Sequence, residues 1–130
     1  MPDIPLDDVL QIHAVLIERF GGSPGLRSLG ALGSSLEQPH SEYFGHERYP
    51  TVIGKSAAYL YYVCQNHPFV DGNKRVAFAL CSIYLNMHGL KLNMTVDEAE
   101  NLTVAVASGS LSAEAIIEAI TPRVILANQS

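Results

Sequence analysis

The sequence predicts an all-α fold, a compact bundle of about six helices around a buried central helix, forming one domain over residues 1–130. Three observations carry this. Apolar residues recur at spacings of three and four along most of the chain, the period of a helix face. Residues 76–88 are apolar nearly all the way round, which suits a helix wrapped by others. Strict apolar–polar alternation, the mark of a half-buried strand, is almost absent.

Residues 6–20 place Leu6, Val9, Ile12, His13, Leu16 and Phe20 on one helical face, with Asp7 and Asp8 suited to the helix N-terminus. His13 on that face reads as a satisfied core histidine. The glycines and Pro24 of residues 21–25 end the helix in a loop. Residues 28–38 form a short helix weakened by Gly30 and Gly33, each costing about 1 kcal/mol relative to Ala. Residues 39–50 read as a polar, aromatic loop between two prolines. Thr51 is an N-cap for a helix reaching Gln65, with Ile53, Ala57, Leu60, Tyr61 and Cys64 inward. The apolar helix over 76–88 takes the centre of the domain, and Gly89 closes it. Residues 91–94 are a short extended link. Thr95 and Glu98 form a capping box for a helix to Ser108, which Gly109 breaks. Ser112 caps a last helix over 113–120, and the tail beyond Pro122 is given no element.

Composition excludes several classes. With 8 Lys and Arg against 13 Asp and Glu, the net charge is -5 and the basic residues are scattered. That argues against direct nucleic-acid binding or an anionic membrane surface as the main partner. The start, Met1-Pro2-Asp3-Ile4-Pro5, lacks the cationic and apolar regions of a signal peptide, and no apolar run reaches the ~20 residues of a membrane span. Cys64 and Cys81 lie in apolar helical runs without Cys or His partners at zinc-ligand spacing, as buried thiols in a reducing compartment do. The expectation is a soluble cytoplasmic domain.

Chemistry concentrates between the two best-defined helices, in His67-Pro68-Phe69-Val70-Asp71-Gly72-Asn73-Lys74-Arg75. A helix start offers free N–H groups and the positive end of the macrodipole. Gly72 lets an anion approach the backbone, and Asn73, Lys74 and Arg75 add donors and charge, together describing a phosphate site. Asp71 is placed to hold Mg²⁺, which takes one or two carboxylates plus phosphate oxygens. His67 is a natural general base for a hydroxyl attacking that phosphate. Phosphoryl or nucleotidyl transfer to an alcohol follows. The alternative is a solvated capping loop, with Asp71 or Asn73 a simple N-cap. Phe69 reads as a plug into the core.

This nine-residue run resembles the signature of the Fic/Doc superfamily, and Lys74, where Fic enzymes carry glycine, makes it similar to the Doc (death-on-curing) branch. Arg19-Phe20-Gly21-Gly22, Pro24-Gly25-Leu26-Arg27, Asn86-Met87-His88-Gly89-Leu90 and residues 102–111 extend the resemblance over most of the chain. It implies a compact all-α toxin of a type II toxin–antitoxin module, an ATP- and Mg²⁺-dependent kinase. Its target would be a hydroxyl of a translation factor, elongation factor Tu, with translation arrested. By position, His67 is the base, Asp71 positions the hydroxyl and binds Mg²⁺, Gly72 and Asn73 line the anion site, and Lys74 and Arg75 hold the ATP phosphates.

Lysine at 74 fills and neutralises part of an anion site that glycine leaves open, which favours ATP bound with its γ-phosphate toward the nucleophile. Gly72 is a mild departure toward the Fic pattern, since some Doc proteins carry alanine there. The rivals are a Fic-type AMP transferase and a catalytically silent binding module on the same fold. Fic-like enzymes also carry a target-docking flap, for which residues 39–50 with Tyr43, Phe44 and Tyr49 stand in the right sequence position; plain anchoring of a long loop is the alternative. Arg27 either reaches a phosphate or pins its loop. The self-silencing Fic pattern is missing, because Ala115 follows Glu114. The resemblance therefore implies a separate inhibitor, a Phd-like antitoxin whose flexible C-terminal segment folds over the site.

Overall fold

The computed structural model describes residues 3–129; Met1, Pro2 and Ser130, the ends of the start and tail considered above, lie outside them. Among the described residues are six α-helices, and four of them begin where a hydroxyl accepts a free N–H group. Ser28 Oγ accepts from Ala31 N at 3.0 Å to open α1's successor α2 (Leu29–Glu37), which follows α1 (Leu6–Phe20). Thr51 Oγ1 accepts from Gly54 N at 2.9 Å at the head of α3 (Val52–Asn66). Ahead of α5 (Val96–Ala107), Thr95 and Glu98 exchange bonds of 3.0 and 3.1 Å in a full capping box. Ser112 caps α6 (Ala113–Ile120) in the same manner. Each cap removes one unpaired donor and is worth about 1 kcal/mol. The exceptions are α1, which follows Pro5, and α4 (Asn73–Met87), which starts from a left-handed Gly72; neither has a side-chain cap.

Two small antiparallel pairs accompany the helices. The segment read as a polar loop holds a 3₁₀ turn (Gln38–His40) and a hairpin, β1 (Glu42–Tyr43) with β2 (His46–Glu47). Its turn contains Phe44 at φ 51, a conformation that no local propensity of phenylalanine announces. What holds the hairpin is distant in sequence. Lys55 is buried in α3, and its ammonium donates to Glu47 Oε1 at 2.9 Å and to the Tyr49 carbonyl. The second pair joins β3 (Leu90–Leu92), which overlaps the extended link expected over 91–94, to β4 (Val124–Leu126), with Leu90 opposite Leu126 and Leu92 opposite Val124. The tail thus gains an element that only a long-range partner could supply.

The core forms around α3 and α4 together, and α3 is the more enclosed of the two. Its residues 54–60, Gly-Lys-Ser-Ala-Ala-Tyr-Leu, are all buried. Small side chains let α2, α4, α5 and α6 approach α3 from different sides, so enclosure follows packing rather than hydropathy. Val76, Leu80, Tyr84 and Leu85 of α4 fill the opposite half. Val9 and His13 of α1 are buried as expected, whereas Leu6 and Phe20 at its two ends are exposed. Cys64 and Cys81 are free, and burial pushes both thiols up to about 12. No helix among the described residues is long and apolar enough to cross a membrane.

The capping box also ties the C-terminal segment down. Arg123 donates to both oxygens of Glu98 at 2.7 and 2.8 Å, and this fork with the Thr95 N–H lowers the Glu98 carboxyl from 4.5 to about 2. A carboxyl whose folded value is depressed stabilises the fold above its unfolded value and loses that contribution as pH falls toward the folded one. Glu98→Gln is therefore expected to destabilise the protein at pH 7 and to flatten the loss of stability between pH 4.5 and about 2. Urea titrations at stepped pH check this.

Candidate active site

The site is the turn between α3 and α4, and its backbone is held by three separate devices. The first is Asn73. Its side-chain carbonyl accepts from Phe69 N and its amide donates to Phe69 O, both at 2.9 Å. The second is Arg27, whose guanidinium donates to the carbonyls of His67 at 2.5 Å and Asn66 at 2.6 Å. A cation on the carbonyl end of α3 also meets its dipole favourably. The Asn66 amide in turn donates to buried Ser35 at 2.9 Å. The third is the segment 22–28, which lies antiparallel to the turn. The Pro68 carbonyl accepts from Arg27 N and Ser28 N at 2.8 and 3.0 Å, and Val70 N donates to Gly25 O at 3.1 Å.

These contacts place every residue singled out by sequence. His67 ends α3 in a left-handed conformation, φ 45 and ψ 58, with its side chain exposed. Such a conformation costs a non-glycine residue about 1–2 kcal/mol, which the Arg27 bonds offset. Phe69 is buried, as expected of a plug. The Asp71 carboxylate is exposed and accepts from Ser23 N at 3.1 Å and Gly72 N at 2.8 Å. Those two donors, Ser23 first, hold its carboxyl below the usual range, so it is ionised at neutral pH. Arg75 donates to Gly21 O at 2.9 Å and Leu16 O at 3.4 Å and lies over the Phe20 ring, docking α4 on the end of α1. Lys74 is exposed, with no hydrogen-bond partner among the described residues.

His67, Asp71, Gly72, Asn73, Lys74 and Arg75 line one cavity of about 620 Å³, closed on its far side by Val104 and Ala107 of α5 and by Ser108 just after it. This lies within the ~300–1,000 Å³ usual for small-molecule sites. Gly72 at φ 81 turns the chain so that α4 begins without a cap, and the first bond along the helix runs from Val76 N to Gly72 O. The N–H groups of Asn73, Lys74 and Arg75 are therefore the free donors of a helix start, with the Lys74 ammonium beside them, which fits phosphate oxygens. Asp71 is a single carboxylate at the rim. Each of its oxygens keeps a lone pair, and no group of three metal-ligating side chains surrounds it among the described residues. That donor set fits a Mg²⁺ ion whose remaining ligands are phosphate and water.

Two expectations change here. The 39–50 hairpin sits at the N-terminal end of α3, and a helix of 15 residues separates it from His67 by about 22 Å. Tyr49 is buried as an anchor, which fits the anchoring alternative, while Tyr43 and Phe44 are exposed. The strand-like segment beside the site is 22–28. Arg27 pins backbone and does not point to a phosphate. Asn73 and Arg75 likewise spend their side chains on structure, leaving Asn73 to contribute to an anion site through its N–H.

Known proteins match this sequence. A model of the Fic/DOC family matches residues 3–85, which include the whole turn. The chain belongs to the Fic/DOC family. It is 34% identical over 112 residues to Toxin Doc of Mycolicibacterium smegmatis, covering 85% of this chain and 84% of that one. It is 26% identical over 120 residues to Protein kinase doc of Escherichia phage P1, covering 92% and 94%. Within the Fic/DOC family the chain therefore stands with the Doc branch.

The Fic/DOC turn of this chain leaves no room beside Asp71. A Cβ on Gly22, at φ 115, would lie 2.7 Å from Asp71 Oδ2 and 3.1 Å from Ile17 Cδ1. Gly22→Ala is expected to cost roughly 1–3 kcal/mol and to displace the carboxylate. Thermal melts and the Gly72 amide resonance, which reports the Asp71 contact, check both effects.

Proposed function

We propose that this chain is a Doc-type toxin that transfers the γ-phosphoryl group of ATP to a hydroxyl of a protein target, elongation factor Tu, and so arrests translation. The single observation that carries this reading is the uncapped start of α4 beside an unpartnered Lys74, at the rim of the cavity that also holds His67 and Asp71. The name of the phage P1 relative, a protein kinase, supports the kinase over the adenylyl-transfer alternative.

In this reading His67 takes the proton as the target hydroxyl oxygen bonds to the γ-phosphorus. The bond from that phosphorus to the β–γ bridging oxygen breaks, and ADP leaves. The α4 N–H groups and Lys74 hold the phosphate oxygens. Asp71 would hold Mg²⁺, which would neutralise phosphate charge. Arg75 and Asn73 keep the helix start and the turn in register.

The test is the intact mass of elongation factor Tu after incubation with the chain, ATP and Mg²⁺. A phosphoryl increment is expected, lost in His67→Ala. An adenylyl increment would move the assignment to AMP transfer. No increment, with toxicity in cells that persists in His67→Ala, would favour a silent binding module.

Inhibition is assigned to a Phd-like antitoxin whose C-terminal segment folds on binding over the site. Titrating such a segment is expected to abolish transfer at one equivalent. Neither binding nor inhibition would count against this partner.

A further inference from the structure

We propose that His13 is a positioning residue of the site. It sets the orientation of the Asp71–Gly72 peptide, and through it both the Asp71 carboxylate and the uncapped start of α4. The kinetic part of this inference rests on the kinase reading above, while the structural part stands on geometry.

His13 belongs to α1, 58 residues away from the turn in sequence. It is 5% exposed, and its ring lies flat against Phe69 with centroids 3.8 Å apart and an interplanar angle of 8°. Its Nε2 is 2.8 Å from the Asp71 carbonyl oxygen. A carbonyl only accepts, so Nε2 carries the hydrogen and His13 donates. The N–H of the same peptide unit goes to Asp71 Oδ1 at 2.8 Å. Both polar ends of the Asp71–Gly72 peptide are therefore fixed, one by α1 and one by the carboxylate it helps to orient.

Rotating that peptide plane would break both bonds and move Gly72 off φ 81. The Asp71 carboxylate would lose the Gly72 N–H, and the first free donors of α4 would turn with the chain. α1 packs directly beneath: a Cβ on Gly72 would lie 3.6 Å from the His13 ring and 3.1 Å from Ile17 Cδ1. Packing alone does not ask for a histidine here. A phenylalanine would stack on Phe69 and fill a similar space, and only a donor at Nε2 accounts for the bond to the carbonyl. Groups that orient a ligating side chain from behind typically change metal affinity or activity about 10–100-fold when removed.

The experiment compares His13→Phe, which keeps a ring and loses the donor, with His13→Gln, whose amide nitrogen can take the place of Nε2. Each is measured for melting temperature, for the Gly72 amide resonance, and for kcat and KM with Mg-ATP. In His13→Phe the Gly72 resonance is expected to shift and KM for Mg-ATP to rise about tenfold. His13→Gln is expected to restore both. A structural role that merely lowers the folded fraction would reduce kcat and leave KM unmoved. The proposal is overturned if folded His13→Phe keeps the parent KM and the parent Gly72 resonance, or if His13→Gln is as impaired as His13→Phe. If His13→Phe does not fold, His13→Asn, too short to reach the carbonyl, replaces it with the same expectations. If the parent protein transfers no phosphoryl group, the kinase reading fails separately, and the Gly72 resonance alone decides the role of His13.

Discussion

The clamp of Asn73 on Phe69 is the constraint on which the site depends. The chain must leave the end of α3 and enter α4 within six residues, 67–72, while every buried main-chain group along the way finds a partner. Pro68 and Phe69 are the buried members of that turn, and Phe69 has both an N–H and a carbonyl to satisfy there. A carboxamide carries one acceptor and a donor pair on a single planar group, and Asn73 uses one of each on the same residue. Aspartate at this position would lack the donor. With Phe69 fixed, the residues on either side can hold left-handed conformations, and His67 and Gly72 project toward one cavity.

Around that clamp the molecule assigns each polar residue a separate task. Arg27 and Arg75 are both cations near the site, and both spend their guanidinium groups on carbonyls at the ends of helices, α3 and α1 respectively. His13 and the 22–28 segment hold the turn from beneath and from the side. Lys74 and His67 are left with exposed side chains and no such task. The groups offered to a ligand are thus few, and they sit beside a turn that is already hydrogen-bonded, next to the free N–H groups of the α4 start. This is the arrangement in which charge can be stabilised without rearranging the protein.

α3 connects this end to a second one built on different physics. At its head, Lys55 is buried and neutralised by Glu47 while also bonding to the Tyr49 carbonyl, and that ion pair anchors the 42–47 hairpin. Tyr49 and Tyr62 share a 3.0 Å hydroxyl contact beside it, and desolvation raises the Tyr49 phenol. A buried ammonium is costly unless paired, so the hairpin and the helix head hold each other in place. Removing Glu47 would leave the Lys55 ammonium buried with only the Tyr49 carbonyl as partner.

The sequence alone determined the helices and their caps, because these are local. Thr51, Thr95 with Glu98, and Ser112 each sit within three residues of the N–H group they serve, and the apolar period of α1 is visible without any partner. It also determined the nine-residue turn and the residue types it offers to a phosphate, since these are contiguous. Tertiary structure decided what those side chains do. Asn73 and Arg75 read as ligand donors in sequence and became structural once Phe69 and the end of α1 lay within reach. Arg27 was ambiguous until the carbonyls of Asn66 and His67, about 40 residues on, came to lie beside it. His13 was legible as buried but not as a donor, and the pairing of β3 with β4 has no local signal at all. The reason is the same in each case: a hydrogen-bond partner far along the chain is set by packing, and packing leaves no mark in the spacing of nearby residues.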